Sequence, residues 1–285
     1  MTEADPLRAE LRRLARLLQG RGVRLIVGGG YGLLLRTEYV RRAGLRTRFQ
    51  EVPGARATND LDIFLSTEII TDAESTKAIR SVLDELGYKP VEKYYQFARP
   101  IEHAAFPRGI KVDLLAAPVE GEEVAKVEVR SIRIKPRGSH GLHARRTWEA
   151  LTVEEQLLLY DIGEGGEGGP LLVYLPHPYT YIALKLFALR DRLDDELKGP
   201  YHAFDIYRVI AMMTEEEWEQ SVELRDRYKE SAVLAVAREI AGELFAGPES
   251  EGVRLLRAHA RSVREDVPDE SAQEFIADLH ELLRG

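Results

Sequence analysis

Residues 25–36 read Leu-Ile-Val-Gly-Gly-Gly-Tyr-Gly-Leu-Leu-Leu-Arg. A short apolar strand runs into a glycine cluster and straight on into an apolar helix, so the chain must open with an α/β unit. The familiar phosphate loops do not fit. A dinucleotide fingerprint needs glycine at its first, third and sixth positions. Counting from Gly28 the sixth position is Leu33, and from Gly30 it is Leu35. No Gly-Lys-Ser/Thr follows, which excludes a Walker loop. The glycines serve either a tight strand-to-helix turn alone or a turn that also brings backbone amides close to an anion.

The acids downstream favour the second use. Residues 58–63 read Thr-Asn-Asp-Leu-Asp-Ile. In a strand, side chains at i and i+2 share a face, roughly 6.6–6.8 Å apart. Asp60 and Asp62 then project together while Leu61 and Ile63 enter a core. Side-by-side carboxylates repel unless a cation joins them, and hard divalent ions take oxygen ligands. Asp113, between Val112 and Leu114, is a third acid on a core-like strand. Three such acids on neighbouring strands suit two metals about 3.5–4 Å apart, the arrangement of phosphoryl and nucleotidyl transfer.

Leu7, Leu11, Leu14, Leu17 and Leu18 form one stripe of an N-terminal helix. Residues 31–42 and 72–87 read as further helices, and the stretch over 43–59 as a connection or exposed insertion. Residues 93–99, 110–116 and 125–134 are rich in Val, Ile and Tyr, as strands are. Residues 152–160 read as a short amphipathic helix, and from Pro178 onward the pattern is helical with Gly-Pro breaks at 199–200 and 247–248. The domain change falls near 150, giving a core over 1–150 and a helical domain over 151–285.

The net charge of −8 is unevenly spread. Residues 1–60 hold 12 Lys/Arg against 6 acids, and residues 126–146 hold 7 against 1. Arg46, Arg48, Arg133 and Arg137 are the cations expected to meet an anionic partner, although solvated faces of unlike sign give the same count. The absence of Cys excludes disulfides and thiolate metal sites. No apolar run approaches a membrane span, and the first twenty residues lack the apolar core of a signal peptide, so a cytoplasmic protein is expected.

The Gly-Gly turn, then Arg-x-Thr-x-Asp-Leu-Asp, then an Asp on a later strand resembles the polymerase-β-like nucleotidyltransferase superfamily, and within it the AbiEii family of nucleotidyltransferase toxins. The matching residues are Gly28, Gly29, Arg56, Thr58, Asp60, Asp62 and Asp113. The family's helical second half carries a Lys on an alanine-rich helix and an Asp some twenty residues on, which match Lys185 and Asp205. The resemblance covers residues 25–210 or so. It implies a small mixed sheet followed by a C-terminal helical domain, and transfer of a nucleoside monophosphate from an NTP to an acceptor with two Mg²⁺ ions. Asp60 and Asp62 would bind both ions, and Asp113 would act as third ligand or as base. Gly28, Gly29, Arg56, Thr58 and Lys185 would hold the nucleotide, and Asp205 would orient Lys185 or the nucleotide. A tRNA 3′ end as acceptor and a cognate antitoxin protein are the implied partners.

The residues themselves leave rivals open. A small-molecule adenylyltransferase of the antibiotic-modifying kind would use the same metals without a basic surface. A non-catalytic relative would use the fold for binding alone. Lys185 sits in a helix apolar nearly all round and could snorkel to water or face a polar cleft. Asp205 could simply pair with Arg208 at i+3. Tyr94 and Tyr95 read as core packing, and His140 and His143 as a surface loop.

Overall fold

In the computed structural model the chain forms two units: residues 1–36, 56–148 and 153–176 in one, and residues 37–55, 149–152 and 177–285 in the other. The structure describes residues 5–54, 58–92, 94–104, 106–138, 141–163 and 169–285. It is a mixed α/β protein with a helical C-terminal part, as expected.

The first unit begins with α1 (Pro6–Gln19), capped by the Asp5 carboxylate, which accepts from the amides of Leu7 and Arg8. Next come β1 (Ile26–Val27) and α2 (Gly29–Ala43), whose residues from 37 on belong to the second unit, then β2 (Asp60–Phe64), α3 (Thr67–Thr71) and α4 (Ala73–Glu85). Eight strands follow: β3 (Lys89–Glu92), β4 (Gln96–Arg99), β5 (Ile110–Ala116), β6 (Val127–Arg130), β7 (Arg133–Pro136), β8 (Ala144–Arg146), β9 (Leu158–Asp161) and β10 (Leu172–Leu175). All join one sheet in the order β6-β7-β8-β5-β2-β1-β10-β9, with β4 also paired to β5 and β3 to β4. Along β5 burial alternates strictly: Ile110, Val112, Leu114 and Ala116 are buried, and Lys111, Asp113 and Leu115 are half-exposed. Period-two alternation fixes the register, because a slip of one residue would put Asp113 in the core.

Residues 152–160 are not a helix. Gln156 has φ 46°, which ends any right-handed helix, and β9 follows, pairing antiparallel with β10 from Leu158↔Leu175 to Asp161↔Leu172. Pairing with β10 and burial of Tyr160 outweigh a short amphipathic pattern. Tyr95 is buried as expected, but Tyr94 is not. It takes φ 62° in the turn before β4 and stands 44% exposed.

The second unit holds α5 (Pro178–Arg190), α6 (Lys198–Ala211), α7 (Glu215–Tyr228), α8 (Ala232–Leu244), α9 (Glu251–Ser262) and α10 (Asp269–Leu283). Pro200 lies in the first turn of α6, where proline costs no hydrogen bond. The segment expected to be a connection or exposed insertion is a connection, pinned to these helices around Arg48 and Phe49. The amides of Arg48 and Phe49 donate to the carbonyls of Met213 and Ala211 at 2.8 and 3.2 Å. Phe49 is buried with its ring 5.5 Å from that of Tyr207. The Arg48 guanidinium grips Asp278 with two bonds of 2.7 and 2.8 Å and lies 4.1 Å over the Trp218 ring. Arg48 is thus a structural cation and not the partner-facing one its charge suggested. Among the described residues, no helix is long and apolar enough to cross a membrane.

Candidate functional site

The three acids of the first unit lie on one face of the sheet. β2 and β5 are parallel neighbours with Asp60 opposite Lys111 and Asp62 directly opposite Asp113. Asp60, Asp62 and Asp113 are all half-buried, while Leu61, Ile63, Val112 and Leu114 face the core. Like charges placed opposite each other on adjacent strands work against a sheet. Such a cost is kept where the site, and not the fold, requires it.

The glycine turn packs onto the same acids. The Gly28 amide donates to the Asp62 carbonyl at 2.8 Å, so it is engaged within the sheet. A Cβ on Gly28 would stand 2.4 Å from the Phe64 ring. Gly29 opens α2 with φ 59°, a left-handed conformation that suits glycine, and a Cβ there would fall 1.7 Å from Asp62 Oδ2. The Asp62 carboxylate therefore sits against the start of α2, where the helix dipole favours negative charge.

Neutral donors orient the other two carboxylates. Thr58 Oγ1 donates to Asp60 Oδ1 at 2.6 Å, and Gln96 Nε2 donates to Asp113 Oδ1 at 2.7 Å. Burial pushes the Asp113 carboxyl above the usual carboxylate range. The Gln96 bond lowers it, the Asp60 charge raises it further, and Lys111 and Arg145 lower it. Among the described residues, no group of three or more His, Asp or Glu side chains stands close enough to hold a metal ion. The donors themselves are the hard oxygens that Mg²⁺ takes, and Asp62 and Asp113 are register partners on one face. The residues fit the ion in kind. Arg56 lies outside the described residues.

In the second unit, α5 and α6 bring Lys185 and Asp205 together. Lys185 Nζ is 2.7 Å from Asp205 Oδ2, and both side chains are buried. Arg208 approaches the same carboxylate, 3.6 Å from Oδ1, and donates to the Gly54 carbonyl at 3.3 Å. Lys185 thus does not snorkel, and Asp205 meets both cations that its sequence neighbourhood offered.

Sequence reasoning missed Gln96, because its role depends on β4 lying antiparallel to β5 with Gln96 opposite Asp113. It also missed Arg145, which follows from the pairing of β8 with β5. His143 lies in a loop before β8, as expected, with its ring edge-on to Tyr94 at 5.9 Å. His140 lies outside the described residues.

Solved structures similar to this chain include two of one protein. One is the solution structure of the antibiotic-resistance factor ANT(2'')-Ia, with TM-score 0.37 and 12% identity over 78% of this chain and 93% of that one. The other is the crystal structure of ANT(2'')-Ia in complex with adenylyl-2''-tobramycin, with TM-score 0.38 and 14% identity over 79% of this chain and 99% of that one. No family model and no curated protein matches the chain.

Proposed function

We propose that the chain is a Mg²⁺-dependent nucleotidyltransferase that moves a nucleoside monophosphate from an NTP to the 3′ end of an RNA acceptor, most simply a tRNA. The observation that carries this reading is the in-register pair Asp62 and Asp113, with Asp60 on the same face and the start of α2 packed on Asp62. In the reaction the acceptor hydroxyl oxygen attacks the α-phosphorus, the bond to the β-phosphate breaks, and pyrophosphate leaves. Asp113, aimed by Gln96, accepts the hydroxyl proton. Asp60, Asp62 and Asp113 would hold the Mg²⁺ ions, which supply charge neutralisation of the phosphates when bound. Gly28 shapes the turn, and the first turn of α2 offers backbone amides to the triphosphate. Thr58 orients Asp60. To Lys185 we assign neutralisation of nucleotide charge, and to Asp205 the orientation of that lysine, as in the AbiEii resemblance; Arg56 takes its nucleotide-binding role from the same source. A toxin of a toxin–antitoxin pair in the cytoplasm is the setting that the same resemblance supports.

The test is incubation of the protein with each α-labelled NTP, Mg²⁺ and total RNA. Label entering tRNA, and lost with Asp62→Ala, is the expected result. Label entering an added aminoglycoside but no RNA would move the reading to the small-molecule adenylyltransferase. No labelled product from any NTP would leave a binding protein.

A further inference from the structure

The basic stretch near 126–146 becomes a defined feature once the sheet is assembled. Arg145 is the register partner of Leu115, two residues along β5 from Asp113, so it shares the face of the acids. Arg133 is the partner of Arg145 on β7, and Arg130 is the partner of Arg133 on β6. Lys135, two residues beyond Arg133, faces the same way and is paired with Glu128. A row of cations therefore runs outward from Asp113 across β8, β7 and β6 on one face. Arg133 is about two strand spacings, roughly 10 Å, from β5.

At its outer end the row borders a cleft of about 690 Å³ lined by Arg80, Tyr94, Arg130, Arg133, Lys135 and His143. Asp84, the acid on its wall, is gripped by Arg80 through two bonds of 2.8 Å. Glu128 is shared between Arg130 and Lys135. Arg133 has no ion pair with any described residue. The walls thus keep a positive excess after internal pairing. Tyr94 holds a left-handed φ that bulky side chains seldom adopt, and its ring is presented at the cleft with the Arg80 guanidinium 5.8 Å from its centre. Cations beside an exposed ring are what a single strand of nucleic acid requires, charges for phosphates and a face on which a base stacks.

We infer that this cleft and the cation row form the seat of the RNA acceptor: the single-stranded end lies along Arg130, Arg133 and Arg145 by its phosphates, stacks a base on Tyr94, and delivers its terminal hydroxyl toward Asp113. This rests on the nucleotidyl-transfer reading for its final step, but the cleft binds RNA with or without NTP.

The experiment measures fluorescence anisotropy of a labelled 12-nucleotide single-stranded RNA and of a labelled tRNA across a salt series. Arg130→Glu with Arg133→Glu should weaken both by roughly tenfold or more, and flatten the log–log salt slope by about 0.7 per lost phosphate contact. Binding of a fluorescent NTP stays at the parent level. Arg254→Glu, an exposed cation on α9, serves as the like-charge control and changes neither. Tyr94→Ala weakens RNA binding without altering the salt slope, and Arg133→Gln repeats the effect of the double variant in smaller measure should that variant misfold. Unchanged RNA affinity in the folded double variant overturns the inference, as does a labelled poly-glutamate peptide that binds as tightly as RNA and ignores Tyr94→Ala. Asp62→Ala separates the two readings. It should bind RNA like the parent and transfer nothing, whereas RNA binding by the unsubstituted chain with no transfer from any NTP would sink the transfer reading while leaving the cleft intact.

Discussion

Gly29 faces the Asp62 carboxylate so closely that a methyl group on its Cα would lie 1.7 Å from Oδ2. Gly29→Ala must therefore rotate Asp62 away and also hold an alanine at φ 59°. We expect a loss of stability of about 1–3 kcal/mol from the backbone conformation. The displaced carboxylate should cost transfer at least ~10²-fold, on the scale of losing one charge-stabilising group. Urea unfolding and single-turnover transfer measure the two effects, and an alanine variant with parent-level turnover would show that Asp62 need not sit against α2.

Asp113 makes the fold sensitive to pH. Its carboxyl titrates above the usual range, chiefly because it is buried, with Asp60 opposing and Gln96, Lys111 and Arg145 favouring its ionised form. Between the unfolded value near about 3.9 and the raised folded value, the native chain binds more protons than the unfolded one. Stability contributed at this position therefore falls as pH rises through that window, and the penalty is complete above it. Asp113→Asn, which can still accept from Gln96, should melt higher than the parent at pH 7 in chelator, lose that advantage below about pH 4, and transfer nothing. A lower melting temperature at pH 7 would contradict the sign.

The Lys185–Asp205 pair separates packing from chemistry. Lys185→Met removes the ammonium 2.7 Å from Asp205 Oδ2 and leaves the carboxylate buried, so we expect a destabilisation of about 2–4 kcal/mol, at or below the cost of orphaning a buried ion. Asp205→Asn should cost a similar amount because two cations then share a neutral amide. The double variant should be less destabilised than the sum of the singles, with a coupling of about 1–3 kcal/mol in a double-mutant cycle. In the same variants, a rise in NTP requirement with Lys185→Met beyond that of Asp205→Asn is the signature of a lysine that meets the nucleotide.

Arg48→Met removes both bonds to Asp278 and the contact with Trp218. We expect about 2–4 kcal/mol of lost stability and a change in Trp218 emission, with RNA binding untouched. A loss of RNA affinity in the folded variant would return Arg48 to the partner-facing set.

The sequence displayed the strand-glycine-helix turn, the three acids and the helical second half, because each is written in local periodicity or in adjacent residues. It did not display what depends on pairing between distant segments. Nothing near Gln96 says that it will lie opposite Asp113, and nothing near Phe49 says that its amide will reach Ala211. The misread stretch at 152–160 shows the converse. Its apolar spacing suits a helix, and only the left-handed Gln156 and the waiting edge of β10 decide for a strand. Lys185 was ambiguous for a related reason: whether a lone ammonium escapes to water or finds a carboxylate is settled by the neighbouring helix.

The parallel pairing of β2 with β5 imposes an arithmetic on how this gene can drift. The connection before β5 can lengthen or shorten by any number of residues, since loops tolerate it. Inside β5 a change of two residues would keep Asp113 on its face but slide it along the strand away from Asp62, so only the present length keeps the two side by side. A single inserted codon between Ile110 and Asp113 would exchange the two faces, sending Leu114 to solvent and the acid into the hydrophobic layer. Descendants of this chain should therefore show ragged lengths on either side of β5 and none within it.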